Sequence, residues 1–598
     1  MSLKHIAIDF KEKTAKYQKK NALYYKDEFV NSWIGISWID MKHKVDSVAK
    51  ALLKFGVNEH QNIAICAQNS PEWTIADLAI LSIRSVVVPI YATNSKNEID
   101  YIINDAEVAL IFVGGQEEYN KALEVKKSNQ YLKLIVAFSN DIVLEENDYS
   151  VYLDDFTDIE FSEILELEYQ KRQSEYQFSD LASIIYTSGT TGEPKGVMLD
   201  HANFAESLHA HELELDVNDQ DISLSILPLS HIYERSWVMF CIHSGIAVYY
   251  NADPKKFAEV LKEVRPTIMC TVPRIYEKIY AAIQDKKKSA SPTKVKLMNW
   301  ALAIGNEYHN HYLRNELKVP FKLKLKYKIA NKLVLSKLKA VFGGRIKFTP
   351  CGGAALSPEI VSFFHSFGLN IKCGYGLTET TATASLFGNT KFEFNSAGKP
   401  IIGTQIKIGE NDEIMVKGPG VMRGYYKKPI QTDEVFKDGW FCTGDAGRID
   451  EFGNIIITDR IKDLMKTSGG KYIAPQKLET ALVNDAFIEQ IAVIGDQKNY
   501  VTALTVPSFE ALKEYANQHK ISFSSIEELI ANNQIKEMFT KRFEELQKEF
   551  SGFEKIKKFT LLPKEFSIDA GEITATLKLK RKVIQQKYKE LIDKMYND

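Results

Sequence analysis

Cysteine is sparse: six in 598 residues, Cys66, Cys241, Cys270, Cys351, Cys373 and Cys442, with no Cys-x-x-Cys pair among them. That spacing excludes a zinc cluster and a disulfide framework and points to a reducing cytosol. Long apolar runs are lacking too. The longest, residues 237–250, contains His243 and Ser244 and falls short of the roughly 20 residues a membrane span needs. Residues 1–5 lead into a charged helical pattern with no apolar signal core, so no export signal is expected. Excess charge of one sign is absent, the formal net charge being −2, which removes any global nucleic-acid signature. Neither an internal repeat nor a low-complexity tract interrupts the chain. What is present is ordinary for a soluble protein, 45% hydrophobic and 26% charged residues in a length that accommodates more than one core. The expected compartment is the cytoplasm, without integral membrane segments.

Up to about residue 460, β-branched runs at 62–66, 109–113, 134–138, 181–186, 267–272, 346–350 and 370–372 alternate with helical patterns. Such alternation implies βαβ units and largely parallel sheets, an α/β fold. Beyond 460 two strand candidates, 490–495 and 501–506, stand among charged helices such as 525–550, which reads as a smaller α+β domain. Several polar motifs follow directly on the strands, where open α/β sheets bind ligands.

The most specific of these is Tyr186-Thr187-Ser188-Gly189-Thr190-Thr191-Gly192-Glu193-Pro194-Lys195-Gly196. A strand delivers hydroxyls and glycines into a loop, and a lysine follows. Glycines let backbone N–H groups approach closely, hydroxyls donate to phosphate oxygens, and Lys195 adds a compact positive charge, so the loop suits polyphosphate. It is not a Walker loop, because Glu193 and Pro194 separate Gly192 from the lysine. Further glycine turns occur at Gly352-Gly353-Ala354 and at Gly374-Tyr375-Gly376-Leu377-Thr378-Glu379. In the second, tyrosine offers a flat face for a base, threonine a hydroxyl for phosphate, and Glu379 an oxygen ligand suited to Mg²⁺. Taken alone, that stretch also reads as a plain turn before a helix. Thr443-Gly444-Asp445 places a carboxylate able to accept from ribose hydroxyls, and Asp459-Arg460 follows a strand-like run, a surface ion pair being the alternative reading there.

Taken in order, residues 186–196, Leu227-Pro228-Leu229-Ser230-His231, 352–354, 375–379, Gly444-Asp445, Asp459-Arg460 and Thr574-Ala575-Thr576-Leu577-Lys578 resemble the adenylate-forming superfamily over nearly the whole chain. Within it, residues 231–235, 272–278, 466–471 and 577–582, with the long insert between 278 and 343, look most like the long-chain fatty-acid–CoA ligase branch. The resemblance implies a large N-terminal domain over 1–461, with mostly parallel sheets flanked by helices, and a small mobile α+β domain over 462–598. It implies two half-reactions: fatty acid and ATP give acyl-AMP and pyrophosphate, then CoA gives acyl-CoA and AMP. Thr187, Ser188, Gly189, Thr190, Thr191, Gly192 and Lys195 would hold the β- and γ-phosphates, Thr378 would touch the α-phosphate, and Glu379 would hold Mg²⁺. Tyr375, Gly376, Gly353 and Ala354 would hold adenine, and Asp445 and Arg460, with Ile457, the nucleoside. Lys578, favoured over Lys580, would reach the α-phosphate and the attacking carboxylate. His231 would stand beside the acyl carboxylate or serve only structure. Lys462 would be the hinge, and Gly469, Gly470 and Lys471 would meet CoA, a plain loop role for Lys471 being the alternative.

Arg235 stands where some members of the superfamily carry an aromatic tunnel gate, so no gate is assigned. The alternatives are a ligase for medium-chain or aryl acids, an adenylating enzyme that donates to a carrier protein, although no Gly-x-Asp-Ser site follows Lys578, or an inactive nucleotide-binding scaffold. The basic helical insert, about 283–340, is a further feature. From Lys286 to Lys339 it holds fourteen bases against two acids, Glu307 and Glu316. At 321–329 apolar residues alternate with lysines, readable as helix or strand. Such a patch is suited to peripheral contact with the anionic inner face of a membrane.

Overall fold

The computed structural model describes residues 3–597 apart from 28, 161, 188–192, 462–464, 469–470, 569 and 575–577. Ser188, Gly189, Thr190, Thr191, Gly192, Lys462, Gly469 and Gly470 therefore lie outside the described residues. An eight-stranded sheet runs in the spatial order Gly424–Tyr425, Lys195–Asp200, Leu181–Thr187, Val86–Ile90, Asn62–Cys66, Leu110–Val113, Leu134–Ala137, Ser150–Tyr152. Its last six strands are parallel and its first three antiparallel, Leu181–Thr187 belonging to both sets. Asn62–Cys66 and Val86–Ile90 are buried at all five positions, because helices cover both faces of a central parallel strand. One such helix is Pro71–Ser82, and against it packs Trp38–Phe55, which starts where Ser37 accepts the Asp40 amide and stops at Gly56, whose φ of 92° no side chain adopts cheaply.

A second sheet, Ile222–Ser225, Ala247–Tyr250, Asn21–Asp27 and Ser32–Ser37, is parallel but for its last pair. The strand expected over 267–272 forms only isolated bridges, at Ile268 and Thr271. Pro266 and Pro273 bracket it and cannot donate to a ladder. The sheet made by Gln405–Ile408, Glu413–Lys417, Trp440–Ile449, Phe436–Lys437 and Ile455–Arg460 is wholly antiparallel, which the reading of parallel sheets had not anticipated. Three of its connections, 409–412, 438–439 and 450–454, are too brief for parallel crossovers.

After residue 464 the chain builds its own cores. Ile488–Ile494, Val501–Pro507 and Ile556–Leu561 form a three-stranded sheet, the last strand being lysine-rich and not anticipated. Alternate residues serve opposite faces: Ile491, Val493, Val501 and Ala503 pack on Phe539 and Phe543, whereas Ala492, Ile494, Leu504 and Val506 pack with Ile584 and Ile592. The helix expected over 525–550 is two helices, Ile526–Ala531 and Asn533–Leu546, because extended Asn532 breaks the first and caps the second through the Gln534 amide. In the insert the ambiguous stretch is the helix Phe321–Ala330. No helix among the described residues is long and apolar enough to cross a membrane.

Candidate active site

Two parallel strands, Thr349–Cys351 and Ile371–Tyr375, end side by side with Cys351 opposite Cys373. The loops after them leave one sheet edge. In the first, Gly353 and Ala354 are exposed, and Gly353 holds φ +85°, a conformation that suits glycine. The second passes through Gly376, where a Cβ would fall 2.0 Å from the Ala382 carbonyl oxygen, and then makes a single 3-10 turn, Thr378–Thr380.

Tyr375 is buried, and its hydroxyl donates to Asp445 Oδ2 at 2.7 Å. Arg460 Nε stands 3.3 Å from the other oxygen of that carboxylate. Asp445 and Arg460 face each other across adjacent antiparallel strands, so the ladder itself sets the pair. The alternative of a surface pair between Asp459 and Arg460 is not what forms: Arg460 turns to Asp445, and Asp459 is buried. Ile457, on the same strand, is 37% exposed.

Sequence reasoning passed over Tyr425. It lies on the edge strand that pairs with Lys195–Asp200 and donates its hydroxyl to Glu379 Oε1 at 3.0 Å, while Lys195 Nζ stands 4.7 Å from its ring centre. Tyr425 thus joins the base of the phosphate loop to Glu379. Thr187, opposite Lys195 in the ladder, donates its hydroxyl to the Lys195 carbonyl at 3.4 Å. Burial pushes the Glu379 carboxyl above its ordinary range, against the pull of the Tyr425 hydroxyl and the Arg460 charge.

His231 caps the helix Ile232–Ser244, with Nδ1 accepting the Tyr233 amide at 3.1 Å, so a neutral ring carries its proton on Nε2. Desolvation, and then the charge of Lys578, pull its pKa down to about 4. The ring is therefore neutral near pH 7. Lys578 comes from the C-terminal domain, where the Thr574 amide donates to its carbonyl at 2.8 Å and its own amide donates to Thr574 Oγ1 at 3.0 Å. Lys580 is directed to Glu98, 3.8 Å away. Lys471 is not gathered to this site: it is exposed, 6.0 Å from the Phe553 ring centre.

Two residues beside His231 face inward. Arg235 is fully buried, binding Asp77 through two hydrogen bonds of 2.9 and 2.6 Å and Ser183 at 2.6 Å. Glu234 is also fully buried, and its carboxyl rises to about 8 because burial outweighs the Ser225 hydroxyl and the Ile226 and Leu227 amides. Neither of its oxygens has a well-formed hydrogen bond among the described residues. A carboxyl raised in this way favours the fold fully below its unfolded pKa, and that contribution disappears as pH climbs to about 8. Glu234→Gln is expected to melt increasingly above the parent between pH 5 and 8. A melting difference that stays constant across that range would remove Glu234 as its source.

Residues 10–426 match the family described as AMP-binding enzyme, and residues 462–598 match the AMP-binding enzyme C-terminal domain. A long-chain-fatty-acid–CoA ligase of Mycobacterium bovis is 30% identical over 94% of this chain and 93% of its own. The peroxisomal long chain acyl-CoA synthetase 7 of Arabidopsis thaliana is 31% identical over 92% of this chain and 80% of its own. Among solved structures, the adenylation domain of a carboxylate reductase from Mycobacterium chelonae has the same fold at 20% identity, with a TM-score of 0.74 over 100% of this chain and 91% of that one.

Proposed function

The chain belongs to the family of AMP-binding enzymes, and from that premise we propose that it is a long-chain fatty acid–CoA ligase using ATP. In the first half-reaction a fatty carboxylate oxygen attacks the α-phosphorus of ATP, and the bond to pyrophosphate breaks. In the second the CoA sulfur attacks the acyl carbon of the adenylate, the thiol proton is lost and AMP leaves. The observation that carries this reading is the grouping of Tyr375, Asp445 and Arg460 at the strand ends, with Tyr425 joining Lys195 to Glu379.

In the proposed first arrangement, Thr187, residues 188–192 and Lys195 hold the distal phosphates, and Thr378 and Lys578 the α-phosphate. Tyr375, Gly376, Gly353 and Ala354 bound the adenine pocket, and Asp445, Arg460 and Ile457 the nucleoside. A neutral His231 beside the acyl carboxylate adds no charge to compete with Lys578 and can donate from Nε2. Mg²⁺ suits Glu379: that ion is commonly held by one or two carboxylates plus substrate phosphates, and no group of three acidic, His or Cys ligands exists among the described residues. When bound it would neutralise phosphate charge. Glu379 offers the ion a carboxylate oxygen, and the Tyr425 hydroxyl on Oε1 fixes that carboxylate.

For the second half-reaction the domain from residue 462 would turn about Lys462, withdrawing Lys578 and presenting Gly469, Gly470 and Lys471 to CoA. Lys471 is exposed beside Phe553, which is consistent with one domain arrangement at a time. A reducing cytoplasm suits six buried cysteines that form no disulfide. With ATP, Mg²⁺ and CoA, long-chain acids are expected to give acyl-CoA, AMP and pyrophosphate. Pyrophosphate exchange and thioester formation across a panel of acids test this. ADP and phosphate as products, or turnover confined to aryl or medium-chain acids, would overturn it.

A further inference from the structure

The helix Phe321–Ala330 and its continuation through Asn331–Leu335 have two apolar faces, and only one of them is used by the fold. Leu323, Ala330 and Leu335 are buried, and Tyr327 stacks on Tyr308 with ring centres 4.0 Å apart. On the other side Phe321 is 81% exposed, Leu325 55%, Ile329 48% and Leu333 45%. Spacing by four residues puts them in one stripe along the helix. Five lysines on this segment are exposed: Lys322, Lys324, Lys326, Lys328 and Lys332. At about 100° per residue, Lys324 and Lys328 fall on one flank of the stripe and Lys322 and Lys326 on the other. The helix on which this segment packs, Pro292–Asn306, exposes Leu297 and Trp300 as well.

We propose that this face docks on an anionic lipid bilayer, with the Phe321–Leu325–Ile329–Leu333 stripe entering the interface and the flanking lysines meeting the headgroups. An apolar stripe edged on both sides by bases is the arrangement of helices that lie in an interface plane. Charge selects the occupant. From 286 to 339 fourteen bases meet only Glu307 and Glu316, and Glu316 is already paired with Lys391 at 2.5 Å. A second copy of this chain, joined about a two-fold axis, would bring like charges together. A polyanion without an apolar phase would leave Phe321 and Leu325 in water. The surface stands on its own geometry, so its loss would leave the ligase reading intact. If both hold, acids dissolved in the bilayer are delivered beside the enzyme that consumes them.

The test is sedimentation of the full chain, without substrates, with vesicles of phosphatidylcholine alone or with about a quarter phosphatidylglycerol, at low and high salt. Binding is expected only to the anionic vesicles and to fade with salt. Reversing Lys322, Lys324, Lys326 and Lys328 to Glu should lower partitioning at least about a hundredfold, since each well-placed base contributes roughly fivefold. A second variant, Phe321→Ser, Leu325→Ser and Ile329→Ser, keeps the charge and changes only exposed positions. It should lose about tenfold or more by withdrawing apolar surface from the interface. CoA ligation of detergent-dispersed acid should be unchanged in both. Unaltered sedimentation of either variant overturns the proposal. So does self-association of the parent, or retention by duplex DNA, that the charge reversal abolishes while vesicles fail to bind.

Discussion

Lys578→Ala is expected to slow acyl-adenylate formation by about 10²–10³-fold, the usual cost of removing one preorganised group from a site of developing charge. CoA transfer from supplied acyl-adenylate should stay close to the parent rate. The asymmetry follows from the proposed domain arrangement: Lys580, two residues beyond Lys578, pairs with Glu98 of the large domain, whereas Lys471 lies exposed beside Phe553. Lys580→Ala is the control. It forfeits an ion pair with Glu98 that spans 3.8 Å and is partly exposed, so its effect on either half-reaction should be small. Glu379→Gln should slow the same first step as Lys578→Ala. Pyrophosphate exchange and single-turnover thioester formation separate the two half-reactions. Equal damage to both by Lys578→Ala would sink the account of a lysine that serves one arrangement only.

Arg235→Met is expected to cost about 3–5 kcal/mol of stability at neutral pH, because it leaves Asp77 buried without its partner. The cost should depend on pH. Burial already lifts the Asp77 carboxyl above its ordinary value, and Arg235 is what restrains that rise. Without the guanidinium the folded pKa climbs further, so stability is retained at low pH, where Asp77 is protonated in both states, and is lost as pH rises. Asp77→Ala strands a guanidinium that cannot shed its proton, so at pH 5 it should be the worse of the two variants. The double variant Asp77→Leu, Arg235→Met should recover most of the loss, since a buried ion pair replaced by apolar groups of similar volume is often neutral. Denaturant unfolding monitored at pH 5 and pH 8 checks all three. Equal losses for Arg235→Met at both pH values would mean that packing against Trp73 and Phe204, and not the stranded charge, carries the effect.

The same pair explains why position 235 holds no aromatic gate. The side chain is turned into the core, to a carboxylate 158 residues earlier in the chain. Nothing in the local run 231–235 signals that partner. Glu234 poses the same difficulty: a glutamate one turn into a helix reads as solvent-facing, and only the packing of its helix against 225–227 buries it.

Contiguous residues were sufficient wherever the chemistry is local. The hydroxyl and glycine run 186–196, the glycine motif 374–379 and the motif 574–578 could each be read from neighbours in sequence, because the residue types that suit a phosphate or a nucleotide lie within a few positions of one another. The parallel strands 62–66, 110–113 and 134–137 were legible for a similar reason, as uninterrupted apolar runs between helical patterns. Tertiary structure alone decided what those pieces meet. It set Tyr425 between Lys195 and Glu379, turned Arg460 to Asp445, brought Lys580 to Glu98, and chose which face of 321–333 is left in water. Each of these contacts joins segments whose separation is fixed by sheet order and domain docking, and the 3.6-residue turn of a helix, not its composition, determines which of its two apolar faces the core can reach.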